Sequence, residues 1–300
     1  MPRLRSALTN SPFPALAVLT LMRPHQWVKN AFVVAPLLLT PTALSIDTLL
    51  PVAGGLLAFC AVASGMYILN DFLDREADRA HPTKRLRPLA AGTVSPAFAL
   101  GLCVLLLAGG LGLSLWLSFA FAVVVAVYVL LNIAYSVRLK HLAIVDVFVI
   151  AFGFVLRVEA GALLADINLT VWITIIVGLL ALFIALGKRR DDLVKTLGSE
   201  HRRSLEGYNK AFLDASVVVV LGALLVAYLI YTTDVDVMER LGTENLFFSA
   251  PWVVAGVMRY LQIIFVDERS GSPTLLVLTD RFLITVIAGW AITLGILLYV

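Results

Sequence analysis

Cysteine, histidine and charge are all scarce in this 300-residue chain. Its two cysteines, Cys60 and Cys103, sit inside apolar runs. They read as small buried hydrophobes, which excludes a disulfide framework. His25, His81, His141 and His201 are scattered one at a time, so no zinc-ligand spacing exists. Charged residues make up 14% of the chain, against about 25% in an ordinary soluble domain. Hydrophobic residues make up 60%, and the mean hydropathy is +0.95. A soluble globule does not fit those proportions. Low-complexity linkers are missing too, so one domain over 1–300 is expected. At the N-terminus Arg3 and Arg5 precede a short apolar run, Phe13 to Met22, without an A-x-A-like cleavage site after it. The expectation is an uncleaved start lying as a helix at a membrane interface.

What is abundant is apolar sequence in lengths that cross a bilayer, which takes about 20 residues per helix. Nine windows qualify, at 27–45, 50–70, 96–116, 119–136, 143–163, 169–187, 212–231, 249–266 and 282–300. The expected fold is all-α: a polytopic membrane helix bundle of about nine transmembrane helices. The cations orient it. With the connectors taken alternately, 20 of the 23 Lys and Arg fall on one side, and the opposite side holds only Arg240. The positive-inside rule then makes the N-terminus cytoplasmic. The acidic 234–244 connector faces away, and nine crossings put Val300 on the far side. Trp27, Trp116, Trp172 and Trp252 fall at predicted helix ends, as an interfacial aromatic belt requires; Trp290 falls inside the last window and does not fit it.

The charge that remains is concentrated. Residues 70–92 read NDFLDREADRAHPTKRLRPLAAG. On a helix, Asp71, Asp74 and Asp78 lie within about 60° of one another, and Glu76 points elsewhere. Carboxylates without His or Cys suit a hard ion such as Mg²⁺, which keeps waters and shares a substrate phosphate. Arg75, Arg79, Lys84, Arg85 and Arg87 suit the remaining phosphate charge. Asn70 is placed to orient a carboxylate or a metal-bound water. The bland alternative is a solvated acidic helix end beside basic neighbours.

Four further stretches carry chemistry-bearing residues. GKRRDDL, 187–193, puts Lys188 and Asp192 four apart on one helix face. Positive-inside anchoring accounts for Arg189 and Arg190, and Lys188 is the candidate for substrate. YSVRLKHLAIVD, 135–146, supplies Tyr135, Arg138, Lys140 and Asp146, although two cations in such a loop are what any membrane protein carries. Arg157 lies within a span, where a charge is expensive, and reads either as a site residue or as a structural ion pair. Arg259 invites the same two readings. RPHQWVKN, 23–30, offers Arg23, Lys29 and Asn30 to a phosphate, or anchors the interface through Trp27 and its cations.

At these residues the chain resembles a known family. NDFLDREAD is similar to the NDxxDxxxD signature of the UbiA superfamily of intramembrane prenyltransferases. The resemblance covers nearly the whole chain, including a second motif after the sixth span. Within the superfamily, the branch of decaprenyl-phosphate phosphoribosyltransferases matches in more places: RPHQWVKN, EADRAHPTKRLRP, LKH, GKR, SLEGYN and GSPTLLVLTDR. That branch implies attack of a polyprenyl phosphate on C1 of 5-phosphoribosyl 1-diphosphate (PRPP), releasing diphosphate, for pentose donors in cell-envelope synthesis. It implies a bacterial inner-membrane enzyme with a cytoplasm-facing cavity, a membrane and its lipid as partners, no nucleic acid, and an oligomeric state left open. It implies Mg²⁺ at Asp71, Asp74 and Asp78, with Asp71, Asp74 and Lys188 at the chemistry. Lys29, Asn70, Lys84, Arg85, Arg87, Tyr135, Lys140, Arg157 and Asp192 would line the substrates.

The resemblance and the residues agree on logic. In PRPP and in prenyl diphosphates alike, a carbon–oxygen bond to diphosphate breaks while cationic character grows on carbon; a metal and fixed cations stabilise what leaves. The superfamily commonly carries DxxxD after the sixth span. Here Lys188 stands where the first aspartate would fall, which removes a metal ligand, adds a cation and favours a more anionic substrate pair. Two rivals stand beside this reading. One is a prenyltransferase joining a prenyl diphosphate to an aromatic or other small acceptor. The other is a lipid-phosphate transporter, which would need neither three aspartates on one face nor Mg²⁺.

Overall fold

The structure, a computed structural model, describes residues 14–196, 207–267 and 273–300. Among the described residues it is helical throughout, with no strand. The chain divides into two compact units: Met1–Pro36, Ser45–Val137 and Leu156–Ile167 in the first, and Leu37–Leu44, Arg138–Val155 and Asn168–Val300 in the second.

In the first unit, α1 (Pro14–Met22) leads into a 3₁₀ stretch, Pro24–Val33, ahead of α2 (Ile46–Leu73) and α3 (Arg75–Ala80). Two long helices follow, α4 (Pro96–Leu117) and α5 (Phe119–Val137). Local chemistry sets the ends. Ser45 and Thr48 form a reciprocal capping box at the start of α2. Ser95 caps α4, with Pro96 at its first position. Phe59 of α2 packs edge-on to Phe121 and tilted against Tyr128, both of α5, at centroid distances of 6.0 and 5.4 Å. Val33, Val62, Met66 and Ala160 complete that core. Gly161 approaches Val33 so closely that a Cβ there would lie 1.8 Å from the Val33 carbonyl oxygen.

The next helix, α6 (Val145–Leu164), is divided between the units at Val155 and Leu156. The second unit also holds α7 (Val171–Thr196), α8 (Lys210–Thr233), α9 (Val235–Leu241), α10 (Ala250–Phe265), α11 (Pro273–Thr279) and α12 (Arg281–Tyr299). Asn209, Asp234 and Asp280 each cap the helix that follows them. Phe183 of α7 meets Tyr260 of α10 edge-on at 4.6 Å. Trp290, the tryptophan outside the predicted aromatic belt, donates to Tyr228 Oη at 2.8 Å, and that hydroxyl pairs with Ser249. Its polar end is satisfied by protein.

Eight helices among the described residues are long and apolar enough to cross a membrane. They reproduce eight of the nine predicted windows. The first window, 27–45, is a correction: it is not one α-helix but the 3₁₀ stretch, a four-residue helix at Ala35–Leu38 and a second 3₁₀ turn at Pro41–Ala43. Pro24, Pro36 and Pro41 remove backbone donors and oppose an unbroken helix. The stretch nevertheless traverses the depth of α2. Arg23 bonds Asp71, Trp27 bonds Ser64 and Asn30 bonds Cys60. Seven residues at a 3₁₀ rise of about 2.0 Å cover about 14 Å; the eleven α2 residues opposite cover about 16 Å. Irregular backbone at membrane depth is tolerated where protein buries it, and Asn30 and Val33 are fully buried.

Candidate active site

In the first unit the aspartate motif forms at the end of α2. Asp74 caps that helix with φ −88° and ψ 3°. Hydrogen bonds from Asp74 N to Asn70 O (2.9 Å) and from Asp78 N to Asp74 O (2.8 Å) carry the backbone into α3. The predicted single helix is therefore interrupted at Asp74, but Asp71 and Asp78 still converge. Arg87 Nη1 donates to Asp71 Oδ1 at 3.0 Å and to Asp78 Oδ2 at 2.6 Å. Lys84 Nζ stands 3.8 Å from Asp78 Oδ1. Asn70 Nδ2 donates to Asp74 Oδ2 at 3.1 Å.

Arg23, offered to a phosphate by the sequence but not placed beside the aspartates, completes this cluster. Leu21 packs with Ile68 and Leu89, which brings the end of α1 to the end of α2. Arg23, in left-handed backbone at φ 55°, donates from Nη2 to both Asp71 oxygens at 2.5 and 2.8 Å. Its guanidinium lies over the Tyr67 ring at 5.3 Å. The signal for Arg23 was its place in RPHQWVKN; nothing in the spacing named Asp71 as its partner. Asp71 and Asp78 are each only 2% exposed. Arg75 and Arg79 bind Glu76 instead, and Arg85 is exposed. Those two bonds hold the Glu76 carboxyl below its usual range.

Arg157 occupies a buried position in the same unit. It donates to Asn30 Oδ1 and to Tyr128 Oη, both at 2.8 Å, and stacks over the Phe59 and Tyr128 rings. Asn30 in turn donates to Cys60 Sγ at 3.3 Å. Lys29 and Tyr135 are half-buried, in the 3₁₀ stretch and near the end of α5.

In the second unit, the KRRDD run continues α7. Consecutive helical residues are about 100° apart, so the three cations part company. Lys188 is exposed. Arg189 Nε donates to Asp146 Oδ2 at 2.6 Å, and buried Arg190 pairs with Asp214. Asp192 Oδ2 lies 4.0 Å from Arg189 Nη1. Asp146 also accepts from Tyr208 Oη at 2.6 Å. Burial, and then the neighbouring Asp146 carboxylate, push the Tyr208 hydroxyl up to about 12. Lys140 is half-buried in a 3₁₀ turn at Leu139–His141. Arg259 is tied to Asp280 at 2.7 Å and Asp267 at 3.4 Å, a structural network.

The UbiA prenyltransferase family model matches residues 31–272. The chain belongs to the UbiA prenyltransferase family. Decaprenyl-phosphate phosphoribosyltransferase of Mycolicibacterium smegmatis is 34% identical over 292 residues, covering 93% of this chain and 91% of that protein. The protein of the same name from Mycobacterium tuberculosis H37Rv is 33% identical over 288 residues, covering 93% of each. A UbiA homolog from Archaeoglobus fulgidus, solved bound to DMAPP and Mg²⁺, superposes with a TM-score of 0.72 at 19% identity, over 93% of this chain and 99% of that one.

As a UbiA protein, the chain is an integral, multi-pass membrane protein, and the resemblance carried by NDFLDREAD holds. The acidic cluster can be tested against Mg²⁺ chemistry. Its donors are oxygen only, and two carboxylates converge on one positive nitrogen of Arg87, which stands in for a cation. Mg²⁺ is commonly held by one or two carboxylates together with substrate phosphates. Among the described residues, no three Asp, Glu, His or Cys gather as a metal cage. The residues fit an ion shared with a phosphate.

Proposed function

We propose that this chain transfers 5-phosphoribose from PRPP to a polyprenyl phosphate such as decaprenyl phosphate, releasing diphosphate. The observation that carries the reading is similarity to decaprenyl-phosphate phosphoribosyltransferases along 93% of the chain. The charge pattern supports it, since PRPP brings a 5-phosphate beyond the diphosphate and the acceptor brings another. In the reaction a phosphate oxygen of the acceptor bonds to C1 of the ribose while the C1–O bond to diphosphate breaks. The acceptor is already ionised, so no general base is required.

Asp71, Asp74 and Asp78 are the proposed ligands for Mg²⁺, which when bound would neutralise the departing diphosphate. Asn70 orients Asp74. Arg87 and Lys84, already set against the carboxylates, have phosphate oxygens as their alternative partners, with Arg85 beside them in sequence. Arg23 joins this set. Lys188 is the cation of KRRDD that remains exposed, and is assigned to phosphate with Lys140. Tyr135, Lys29 and Asp192 have supporting positions in the substrate sites. Arg157, held by Asn30 and Tyr128, supplies a fixed positive charge. The bacterial relatives support an inner-membrane location, and the cation asymmetry supports an N-terminus and site on the cytoplasmic side.

The test is diphosphate release by purified protein in detergent, with PRPP and decaprenyl phosphate, with and without Mg²⁺. Release that needs all three is the expected result. No release, from a preparation active on a prenyl diphosphate and an aromatic acceptor, overturns the reading. Lys188→Asp, which restores the commoner acidic pattern, is expected to raise the KM for PRPP by about tenfold, the scale of one charge-assisted hydrogen bond. Unchanged PRPP kinetics would remove Lys188 from the site.

A further inference from the structure

The loop 138–146 and the segment entering α8 are joined at an unusual point. Ile144 is β-branched yet has φ 72°, a region where such a residue is a true outlier. Its backbone N–H donates to Tyr208 Oη at 2.6 Å. The same hydroxyl donates to Asp146 Oδ1 at 2.6 Å, and Asp146 Oδ2 takes Arg189 Nε at 2.6 Å. One carboxylate, 1% exposed, thus holds both the tyrosine and the arginine next to Lys188. Gly207 permits this approach. It has φ 92°, and a Cβ there would lie 2.8 Å from the Ala143 Cβ, so a larger residue meets both strain and a clash.

We propose that Tyr208 is a positioning residue that sets affinity for the phosphoribosyl donor, by holding the loop that carries Lys140 in the conformation from which Asp146 meets Arg189, next to Lys188. The inference rests on the phosphate-binding roles proposed above for those two lysines. Strained backbone persists only where its surroundings over-determine it. Here Ile144 O accepts from Phe148 N at 3.2 Å and Leu142 O accepts from Asp146 N at 3.0 Å, and the Tyr208 hydroxyl is the side-chain partner that takes the Ile144 N–H. Without the hydroxyl, Ile144 relaxes to negative φ and the Lys140 turn moves with it. Asp146 keeps Arg189 but loses the donor that fixes its other oxygen. Both changes act on the segments that carry the two lysines and not on the proposed metal ligands, so the effect falls on donor binding before turnover.

The experiment is steady-state kinetics of Tyr208→Phe with both substrates varied, beside the wild-type protein. We expect the KM for PRPP to rise about tenfold, the size of a lost hydrogen bond to a charged group. We expect kcat and the KM for decaprenyl phosphate to stay within about twofold. Ile144→Asn in the Tyr208→Phe background is expected to recover most of the PRPP affinity, because asparagine accepts left-handed backbone. Should Tyr208→Phe fail to fold, Asp146→Asn weakens the same tether and is expected to raise the same KM. An unchanged PRPP KM in both variants overturns the proposal. So does a loss spread evenly over both substrates and kcat that Ile144→Asn does not relieve. A wild-type protein that ignores PRPP overturns the functional reading along with it, and that arm stands apart from the variants.

Discussion

Asp71 accepts hydrogen bonds from two guanidinium groups and is 2% exposed, which decides how it can be tested. At a charged helix end an aspartate is ordinarily exposed, and its substitution leaves the fold intact. Buried, it is a different matter. Removing one partner of a buried charge cluster costs about 3–5 kcal/mol, because the remaining charge is left uncompensated. Asp71→Ala is therefore expected to lower thermal stability in detergent as well as activity, and its inactivity alone says little. Asp74 is only half-buried. Asp74→Ala is expected to stay within about 1 kcal/mol of wild-type stability while losing diphosphate release. Wild-type turnover in that variant would remove Asp74 from the chemistry. The motif spelled out which residue types were present and how they were spaced. Burial, and the choice of Arg23 and Arg87 as partners, come from residues 48 and 16 positions away along the chain, which no local spacing encodes.

Tyr208 offers a second test at this scale. Its hydroxyl is raised from about 10 to about 12. A group whose folded value lies above its unfolded one contributes stability that is complete below the unfolded value and is lost as pH rises through the folded one. The stability difference between wild type and Tyr208→Phe is thus expected to be flat from pH 6 to about 9, and to shrink between about pH 10 and 12. Thermal unfolding of both proteins across that range checks it; a difference that shrinks below pH 9 contradicts the assignment.

Among elements, the eight long helices were legible because apolar length is a strong signal and their caps are local. Ser95, Asn209 and Asp280 each cap a helix through a backbone N–H three residues on, a local arrangement that apolar length alone does not name. The first crossing was not legible. A window of apolar residues reports depth crossed and not backbone type, and three prolines within 24–41 only hint at the difference. What holds that stretch is side-chain pairing with α2 and the bare Cα of Gly161 against Val33. Gly161→Ala drives a methyl into backbone that cannot yield as a side chain would. Overpacking of this kind costs about 1–3 kcal/mol or more, so the variant is expected to unfold at lower temperature. Gly112→Ala, at a position where a Cβ meets nothing within 4 Å, serves as the control on α4 and should be neutral or slightly stabilising. Equal behaviour of the two would mean that the 3₁₀ stretch is not packed as described.

The orientation of the whole molecule rests on charge rather than on any single contact. Twenty of 23 cations fall in connectors of one parity, and the rule that places them in the cytoplasm is a bias summed over loops. Breaking the first crossing into 3₁₀ pieces does not alter that parity, because the chain still passes from the Asp71 end of α2 to Ser45 at its start. Cys60 and Cys103 are both buried, so single cysteines placed at exposed positions report cleanly. Arg138 and Glu239 are exposed and lie in connectors of opposite parity. With a membrane-impermeant maleimide on intact cells, Glu239→Cys is expected to label, and Arg138→Cys only after the membrane is opened. The reverse pattern would put the ends of α2 and α7 that carry Asp71 and Lys188 outside the cell. That result would deny the proposed donor, a soluble and multiply phosphorylated sugar, its supply from the cytoplasm, whatever the cluster's chemistry.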